Sequence, residues 1–164
     1  VTFYKSDTDL PDFNDYNMSN RTYRYFKGEA LYPFGYGLSY SSFKYDALKV
    51  PTSAAAGKNI TVSVAVTNTG KIAGDEVVQL YVNHQGARGN APIRALKGFQ
   101  RINLKAGKSR IVTFTLTQEQ LSLVAEDGKT YQPKGKTTIS VGGGQPGVIR
   151  KSTSNVVTRS ITIL

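Results

Sequence analysis

The strongest constraint on the fold is a strict alternation of apolar and short polar residues between Asn59 and Asn68. The apolar members are Ile60, Val62, Val64 and Val66. A period of two among β-branched side chains predicts a half-buried β-strand rather than a helix. This stretch therefore requires a sheet that has one face covered by other parts of the protein.

Similar short strands recur along the rest of the chain. We predict strands at 43–50, 59–68, 74–82, 95–104, 110–116, 137–141 and 156–164, with a bend at Gly98, a single helical turn at 117–123, a turn within 124–133 and a loop at 84–91. Short strands separated by turns roughly every 8 to 12 residues are typical of β-sandwiches. The predicted fold class is all-β, an antiparallel two-sheet β-sandwich of fibronectin type III or immunoglobulin-like shape, with an irregular N-terminal arm.

Residues 1–40 lack this regular pattern. Lys5–Asn20 is rich in Asp, Asn and Ser, whose side chains bond to nearby backbone and favour loops, whereas Arg21–Phe26 alternates in the manner of a strand. A compact domain seldom begins with so long an irregular segment, so we expect the arm to pack on an upstream part of the protein. We therefore divide the chain into an arm or linker at 1–40 and a β-sandwich at 41–164.

The segment Arg21–Tyr45 holds nine of the chain's seventeen aromatic residues, interrupted by glycines. Large rings dominate interfaces and glycines allow close backbone approach, so we predict that these rings pack against an upstream domain. The alternative is an exposed platform on which sugars stack. The predicted interface residues are Tyr23, Tyr25, Phe26, Tyr32, Phe34, Tyr36 and Tyr40, and the candidate substrate-edge contacts are Arg21, Tyr23 and Asp15.

Four segments resemble one known family. They read LYPFGYGLSYSSFKY at 31–45, NTGKIAGDEVVQLYV at 68–82, RALKGFQRINLKAGKSR at 94–110 and KGKTTISVGG at 134–143. These segments are similar to the C-terminal fibronectin type III-like domain of family 3 glycoside hydrolases of the β-xylosidase and β-glucosidase type. RTYRYF at 21–26 resembles the end of the α/β sandwich domain that precedes it. Ala106 stands where the family usually has proline.

The resemblance implies a parent enzyme that cleaves β-glycosidic bonds with retention, using two carboxylates. Both carboxylates of the family lie upstream of the matched segments, so we expect no catalytic residue here, and no metal or cofactor. The implied role is a non-catalytic accessory domain whose partners are the upstream β/α barrel and α/β sandwich domains, with β-glucan or xylan oligosaccharide as a further candidate. A secreted or periplasmic protein is expected, with no nucleic-acid or membrane partner.

Other candidate chemistry is weak. Three carboxylate pairs occur, Asp12 with Asp15, Asp75 with Glu76 and Glu126 with Asp127, and we expect loop or surface roles for them. Adjacent residues on a strand point to opposite faces, which separates Asp75 from Glu76. His84 is predicted to be a surface residue of a loop, because a single imidazole in a chain without cysteine does not make a metal site.

The charge is uneven along the chain. Residues 43–164 carry seventeen basic and six acidic side chains, whereas residues 1–42 carry four and five. The basic residues are scattered singly, which favours a solvated β surface with lysine-protected edges. Two alternatives to the accessory domain remain open, a free-standing carbohydrate-binding module and a polyanion-binding β-sandwich.

Overall fold

The computed structural model describes residues 2–87, 89, 91–147 and 153–164. A 3-10 helix at Asp7–Asp9 and a one-turn helix, α1 (Thr22–Tyr25), precede the strands. The strands are β1 (Phe43–Lys49), β2 (Ser53–Ala54), β3 (Ile60–Asn68), β4 (Gly74–His84), β5 (Ala95–Leu104), β6 (Ser109–Leu116), β7 (Leu123–Val124), β8 (Thr130–Tyr131), β9 (Gly135–Gly142) and β10 (Val156–Ile163).

Two main sheets form a sandwich, which confirms the predicted fold class. The three-stranded sheet has the order β1-β3-β6, and the five-stranded sheet has the order β2-β10-β9-β4-β5. All pairings are antiparallel except that of β2 with β10, which is parallel. A separate hairpin joins β7 to β8, where the sequence indicated only a turn. The predicted helical turn at 117–123 is a hydrogen-bonded turn in which Leu121 N–H donates to Thr117 C=O over 3.1 Å.

The core lies between the two sheets and follows the predicted alternation. Ile60, Val62, Val64 and Val66 of β3 are at most 1% exposed. They belong to the same hydrophobic cluster as the inward-facing residues of β4. Burying an aliphatic side chain of this size contributes about 1.5–3 kcal/mol, so this one strand contributes several kcal/mol to the fold.

The strand-like conformation predicted for Arg21–Phe26 is not what the structure has, so this prediction is wrong. Thr22–Tyr25 instead forms a single helical turn, closed by a 2.9 Å bond from Phe26 N–H to Thr22 C=O. Tertiary contacts fix this turn. The Phe26 side chain is buried edge-on against Tyr4, with ring centroids 4.8 Å apart, and the Tyr4 hydroxyl accepts a hydrogen bond from Thr22 N–H. These contacts outweigh the local alternation of the sequence.

Asn68 joins two turns at one end of the sandwich. Its Oδ1 accepts bonds from Gly70 N–H and the Ser41 hydroxyl, and its Nδ2 donates to Ile72 C=O and Leu104 C=O. The side chain is fully buried, and all four of its hydrogen-bonding positions are used. A polar residue at this buried position is therefore stabilising because it has no unsatisfied atom.

Asn155 holds β1 in place from the other end of the sequence. Its Oδ1 accepts from Tyr45 N–H over 2.7 Å, and its Nδ2 donates to Tyr45 C=O over 2.9 Å. The two residues are 110 positions apart. One amide side chain thus imitates a strand partner for the edge of β1.

No helix in the described part of the chain has the length and apolar character needed to cross a membrane.

Candidate functional site

The N-terminal arm lies on the outer face of the five-stranded sheet. Gln79 and Tyr81 of β4 point away from the sandwich core, yet only 6% and 1% of their surfaces are exposed. Tyr23 contacts the Tyr81 ring edge-on, with centroids 6.3 Å apart, and stacks on Phe34 with centroids 4.0 Å apart. Rings of the arm therefore help to bury the Gln79 and Tyr81 side chains on the outer face of the sheet.

Hydrogen bonds fix the arm on this face. Tyr81 O–H donates to Gln79 Oε1 over 2.6 Å, and Gln79 Nε2 donates to Gly143 C=O over 3.1 Å and to Gly35 C=O at 3.5 Å. The Tyr23 hydroxyl accepts from Leu96 N–H over 3.2 Å. Buried amide and hydroxyl groups need such partners, so Gln79 specifies where the arm lies as well as attaching it.

Two main-chain contacts extend this attachment. Ile93 N–H donates to Arg24 C=O over 2.8 Å. Phe34 N–H donates to Gln145 Oε1 over 3.1 Å, and Gln145 is itself buried. The arm is thus bonded to the segment before β5 and to the turn after β9.

The remaining predicted interface rings divide into packed and exposed ones. Phe26 is buried on Tyr4, Tyr32 contacts Phe3 and Tyr36, and Tyr25 lies beneath the Arg24 guanidinium at 5.8 Å. Tyr40 is 99% exposed. Packing of these rings against an upstream domain remains a prediction.

Arg21 organises the loop before α1. Its Nε donates to Asn17 C=O over 3.0 Å, and its Nη2 donates to Asp12 C=O over 3.2 Å and to Asp15 C=O. The Asp12 and Asp15 carboxylates each accept a bond from the backbone N–H two residues on, as Asx turns do. Of the predicted substrate-edge residues, Arg21 and Asp15 therefore lie together, whereas Tyr23 lies on the sheet.

A cleft of about 470 Å³ opens at this loop. It is lined by Leu10, Pro11, Phe13, Asp15, Tyr16 and Arg21. The Phe13 and Tyr16 side chains are 91% and 88% exposed. Sequence reasoning missed both rings, although their position between the Asx-turn residues of 12–17 is a signal that they project from a fixed loop.

A second cleft, of about 370 Å³, lies beneath the glycine-rich segment 35–39 and has Glu76 in its lining. Glu76 is buried and accepts a 2.7 Å bond from Tyr45 O–H. Burial raises the pKa of Glu76, although the Tyr45 and Ser154 hydrogen bonds oppose that shift. The expected surface role of Glu76 is therefore wrong. Glu76 lies at an inward-facing position of β4, where the hydrogen bond from Tyr45 O–H partly offsets the cost of burying a carboxyl group.

Asp75 lies on the opposite face from Glu76, as predicted. It is exposed, and its carboxylate accepts bonds from Asn103 over 2.6 Å and from Arg101 over 2.5 Å. These bonds, that from Asn103 above all, lower the pKa of Asp75. Asp127 lies in the β7–β8 turn and accepts from Lys129 N–H over 3.0 Å. Each of these carboxylates is therefore engaged in a turn or a surface pair.

The prediction that His84 is a surface loop residue is wrong. β4 continues two residues beyond its predicted end, and His84 is its last residue, only 8% exposed. Its Nδ1 lies 3.0 Å from Thr137 Oγ1, and its Nε2 has no partner among the described residues. Burial, aided by the charge of Lys97, lowers the pKa of His84 to about 4. Two residues of the predicted 84–91 loop, 88 and 90, lie outside the described residues.

Metal-binding groupings of His, Cys, Asp or Glu are absent from the described ranges.

Gly35 offers a test of how the arm is seated. Its φ is +77°, and a Cβ there would overlap the Gln79 side chain, whereas a Cβ at Gly37 would meet nothing within 4 Å. We expect Gly35→Ala to lower the unfolding free energy of the chain by roughly 1–3 kcal/mol and Gly37→Ala to change it by less than about 0.5 kcal/mol. Urea unfolding measures the unfolding free energy of each variant. Equal effects of the two substitutions would show that the close contact of Gly35 with Gln79 does not hold the arm on the sheet.

Two buried groups predict opposite pH dependences. The folded pKa of His84 lies below its ordinary value of 6.5, so its stabilising contribution is present above pH 6.5 and is lost as the pH falls towards 4. The folded pKa of Glu76 lies above 4.5, so its contribution is present below pH 4.5 and is lost as the pH rises.

Accordingly, His84→Gln is expected to gain stability relative to the wild type as the pH falls from 6.5 to about 4, by on the order of 2 kcal/mol. Glu76→Gln is expected to gain relative stability as the pH rises from about 4.5 towards neutrality. Urea unfolding at a series of pH values measures both differences. Parallel pH profiles for either variant and the wild type would show that its group titrates normally.

Comparison with known proteins identifies a family model and relatives that match this chain. Residues 76–145 match the family model of the fibronectin type III-like domain. The chain is 46% identical over 144 residues to a xylan 1,4-β-xylosidase of Xylanibacter ruminicola, covering 87% of this chain and 16% of that protein. It is 39% identical over 134 residues to a periplasmic β-glucosidase of Salmonella typhimurium, covering 79% and 17%.

A solved structure gives the same result. The crystal structure of a GH3 β-glucosidase from Bifidobacterium adolescentis superposes with a TM-score of 0.70 at 31% identity, over 85% of this chain and 20% of that one. The chain spans less than a fifth of the length of the curated relatives described above. The β-sandwich fold and these similarities together show that the chain carries a fibronectin type III-like domain of the family 3 glycoside hydrolases.

Proposed function

We propose that the chain is the non-catalytic C-terminal accessory domain of a retaining β-glycosidase, either a β-xylosidase or a β-glucosidase. It stabilises the parent enzyme by packing against the upstream catalytic domains. The arm, which we place at residues 1–40, joins the sandwich at 41–164 to those domains. Two relatives named for these activities support the proposal, because the chain matches less than a fifth of the length of each.

The observation that carries the proposal is the concentration of exposed apolar side chains in the arm. Leu38 is 80% exposed and Tyr40 is 99% exposed, directly before the first strand. A soluble protein seldom leaves large contiguous apolar surface open, and such surface marks an interaction site. An upstream domain of the parent, packed on Leu38 and Tyr40, would remove this surface from water.

The chemistry of hydrolysis belongs to the parent. Retaining hydrolysis needs two carboxyl groups about 5–5.5 Å apart on either side of the scissile bond. In this chain Asp75 is bonded to Arg101 and Asn103 on the surface, and Glu76 is buried against Tyr45. The upstream barrel and α/β sandwich domains are therefore proposed to supply the nucleophile and the acid/base.

We also propose that the parent acts outside the cytoplasm, either in the periplasm or as a secreted enzyme. One relative is named as periplasmic, which supports this location.

Activity assays separate this proposal from a catalytic role for the chain. The purified chain is expected to release no product from aryl β-xylosides or β-glucosides above a blank, whereas the parent, expressed from its full coding sequence, turns over one of them. Turnover by the chain alone would overturn the non-catalytic role. An inactive parent that is folded by circular dichroism would overturn the glycosidase assignment.

Tyr40 tests the packing role. Because its ring is open to water in the chain, Tyr40→Ala is expected to leave the chain's Tm unchanged. In the parent the ring is buried, so the same change is expected to cost about 2–4 kcal/mol and to lower the Tm by several degrees. Unchanged Tm in both proteins, with loss of retention on xylan in an affinity gel, would favour a carbohydrate-binding module instead.

A further inference from the structure

The cleft at the arm loop combines exposed aromatic rings with two charged side chains in one concavity. Phe13 and Tyr16 present two rings to solvent, 91% and 88% exposed, within a concavity of about 470 Å³. Asp15 and Arg21 line the same concavity. Small-molecule sites are concave and mostly apolar, with a few polar groups that set orientation, and this cleft has that composition.

The loop that carries the two rings is held in one shape by its own hydrogen bonds. Arg21 donates to three backbone carbonyls of residues 12–17, and two Asx turns and a 3.0 Å bond from Asp15 N–H to Asp12 C=O close the same stretch. A site whose groups are ordered before binding loses little entropy when the ligand arrives. The exposure of Phe13 and Tyr16 is thus built into the loop.

Each charged side chain of the cleft has a hydrogen-bonding atom that the loop does not use. Arg21 uses Nε and Nη2 for the loop, and its Nη1 has no acceptor among the described residues. Asp15 accepts through Oδ1, and its Oδ2 has no donor within the same described set. One donor group of positive charge and one acceptor of negative charge balance each other, which favours a neutral ligand with hydroxyl groups over an anion.

We propose that this cleft binds one sugar ring of a neutral β-linked oligosaccharide. The apolar C–H face of the ring stacks on Phe13 or Tyr16, while its hydroxyls bond to Arg21 Nη1 and Asp15 Oδ2. The substrate class rests on the proposed function, because a β-xylosidase or β-glucosidase would bring such a chain to this surface. In the parent the cleft would hold a distal part of the substrate, beyond the sugar that is cleaved.

The first experiment uses the chain itself. Xylotriose and cellotriose are titrated into the chain and binding is followed by tyrosine fluorescence and by ligand-observed NMR. The chain is expected to bind one of them, with Phe13→Ala and Tyr16→Ala each weakening the Kd by about 3- to 10-fold and Tyr16→Phe retaining binding. Tyr40→Ala is the matched control, because Tyr40 is an exposed ring outside the cleft, and it is expected to bind as the wild type does.

The second experiment uses the parent. Phe13→Ala is expected to raise KM for xylotetraose or cellotetraose by about 3- to 10-fold, with kcat and the KM for an aryl monoglycoside unchanged. Asp15→Asn keeps an oxygen for the Asx turn and removes the charge, and is expected to give a smaller shift in the same direction. These results support the site.

Other results overturn it. If neither trisaccharide binds the chain and Phe13→Ala lowers the parent's Tm without changing any KM, the rings are packing contacts with an upstream domain. Binding that Phe13→Ala and Tyr16→Ala leave unchanged would place the ligand elsewhere. A parent without glycosidase activity, combined with ring-dependent binding by the chain, would remove the proposed enzyme and retain the sugar site, so the two failures are distinguishable.

Discussion

The structure depends on the burial of the middle of β4 on both faces of the five-stranded sheet. Its inner face meets the three-stranded sheet, as in any sandwich, but Gln79 and Tyr81 on the outer face are also buried. A buried amide without partners would cost about 1–3 kcal/mol, so these two residues require the arm to be present and correctly placed. The arm is therefore a third layer over this part of the sheet, although the regular secondary structure of its described residues is limited to a 3-10 helix and one helical turn.

This third layer explains how an irregular segment can hold functional groups in place. Tyr23, stacked on Phe34 and bonded to Leu96 N–H, fixes the arm directly after the loop that Arg21 organises. The contacts of Tyr23 with the sheet set the position of this loop. The hydrogen bonds within the loop set its shape. Rigid support of this kind is what allows loops to carry binding residues.

The β-sandwich could be predicted from the sequence because a strand such as β3 buries only one face, and burial of one face leaves a period of two. Tyr81 shows the limit of that reasoning, since the alternation gives its direction but not the arm that covers it. His84 was misjudged because β4 continues past its last apolar residue into polar sequence. The cleft at Phe13 was missed for a different reason: its shape comes from an arginine that bonds to the backbone, and such a contact leaves no periodic trace.

The clamp between Asn155 and Tyr45 bears on how this domain is made. The ribosome synthesises the chain from its N-terminus. Tyr45 of β1 therefore emerges 110 residues before Asn155, whose amide bonds to its backbone. Until then the edge groups of β1 are open to pairing with other strands. Contacts between residues so far apart in sequence slow folding, because the chain loses the entropy of loop closure before the contact stabilises it. Completion of this sandwich therefore waits until Asn155 has been synthesised.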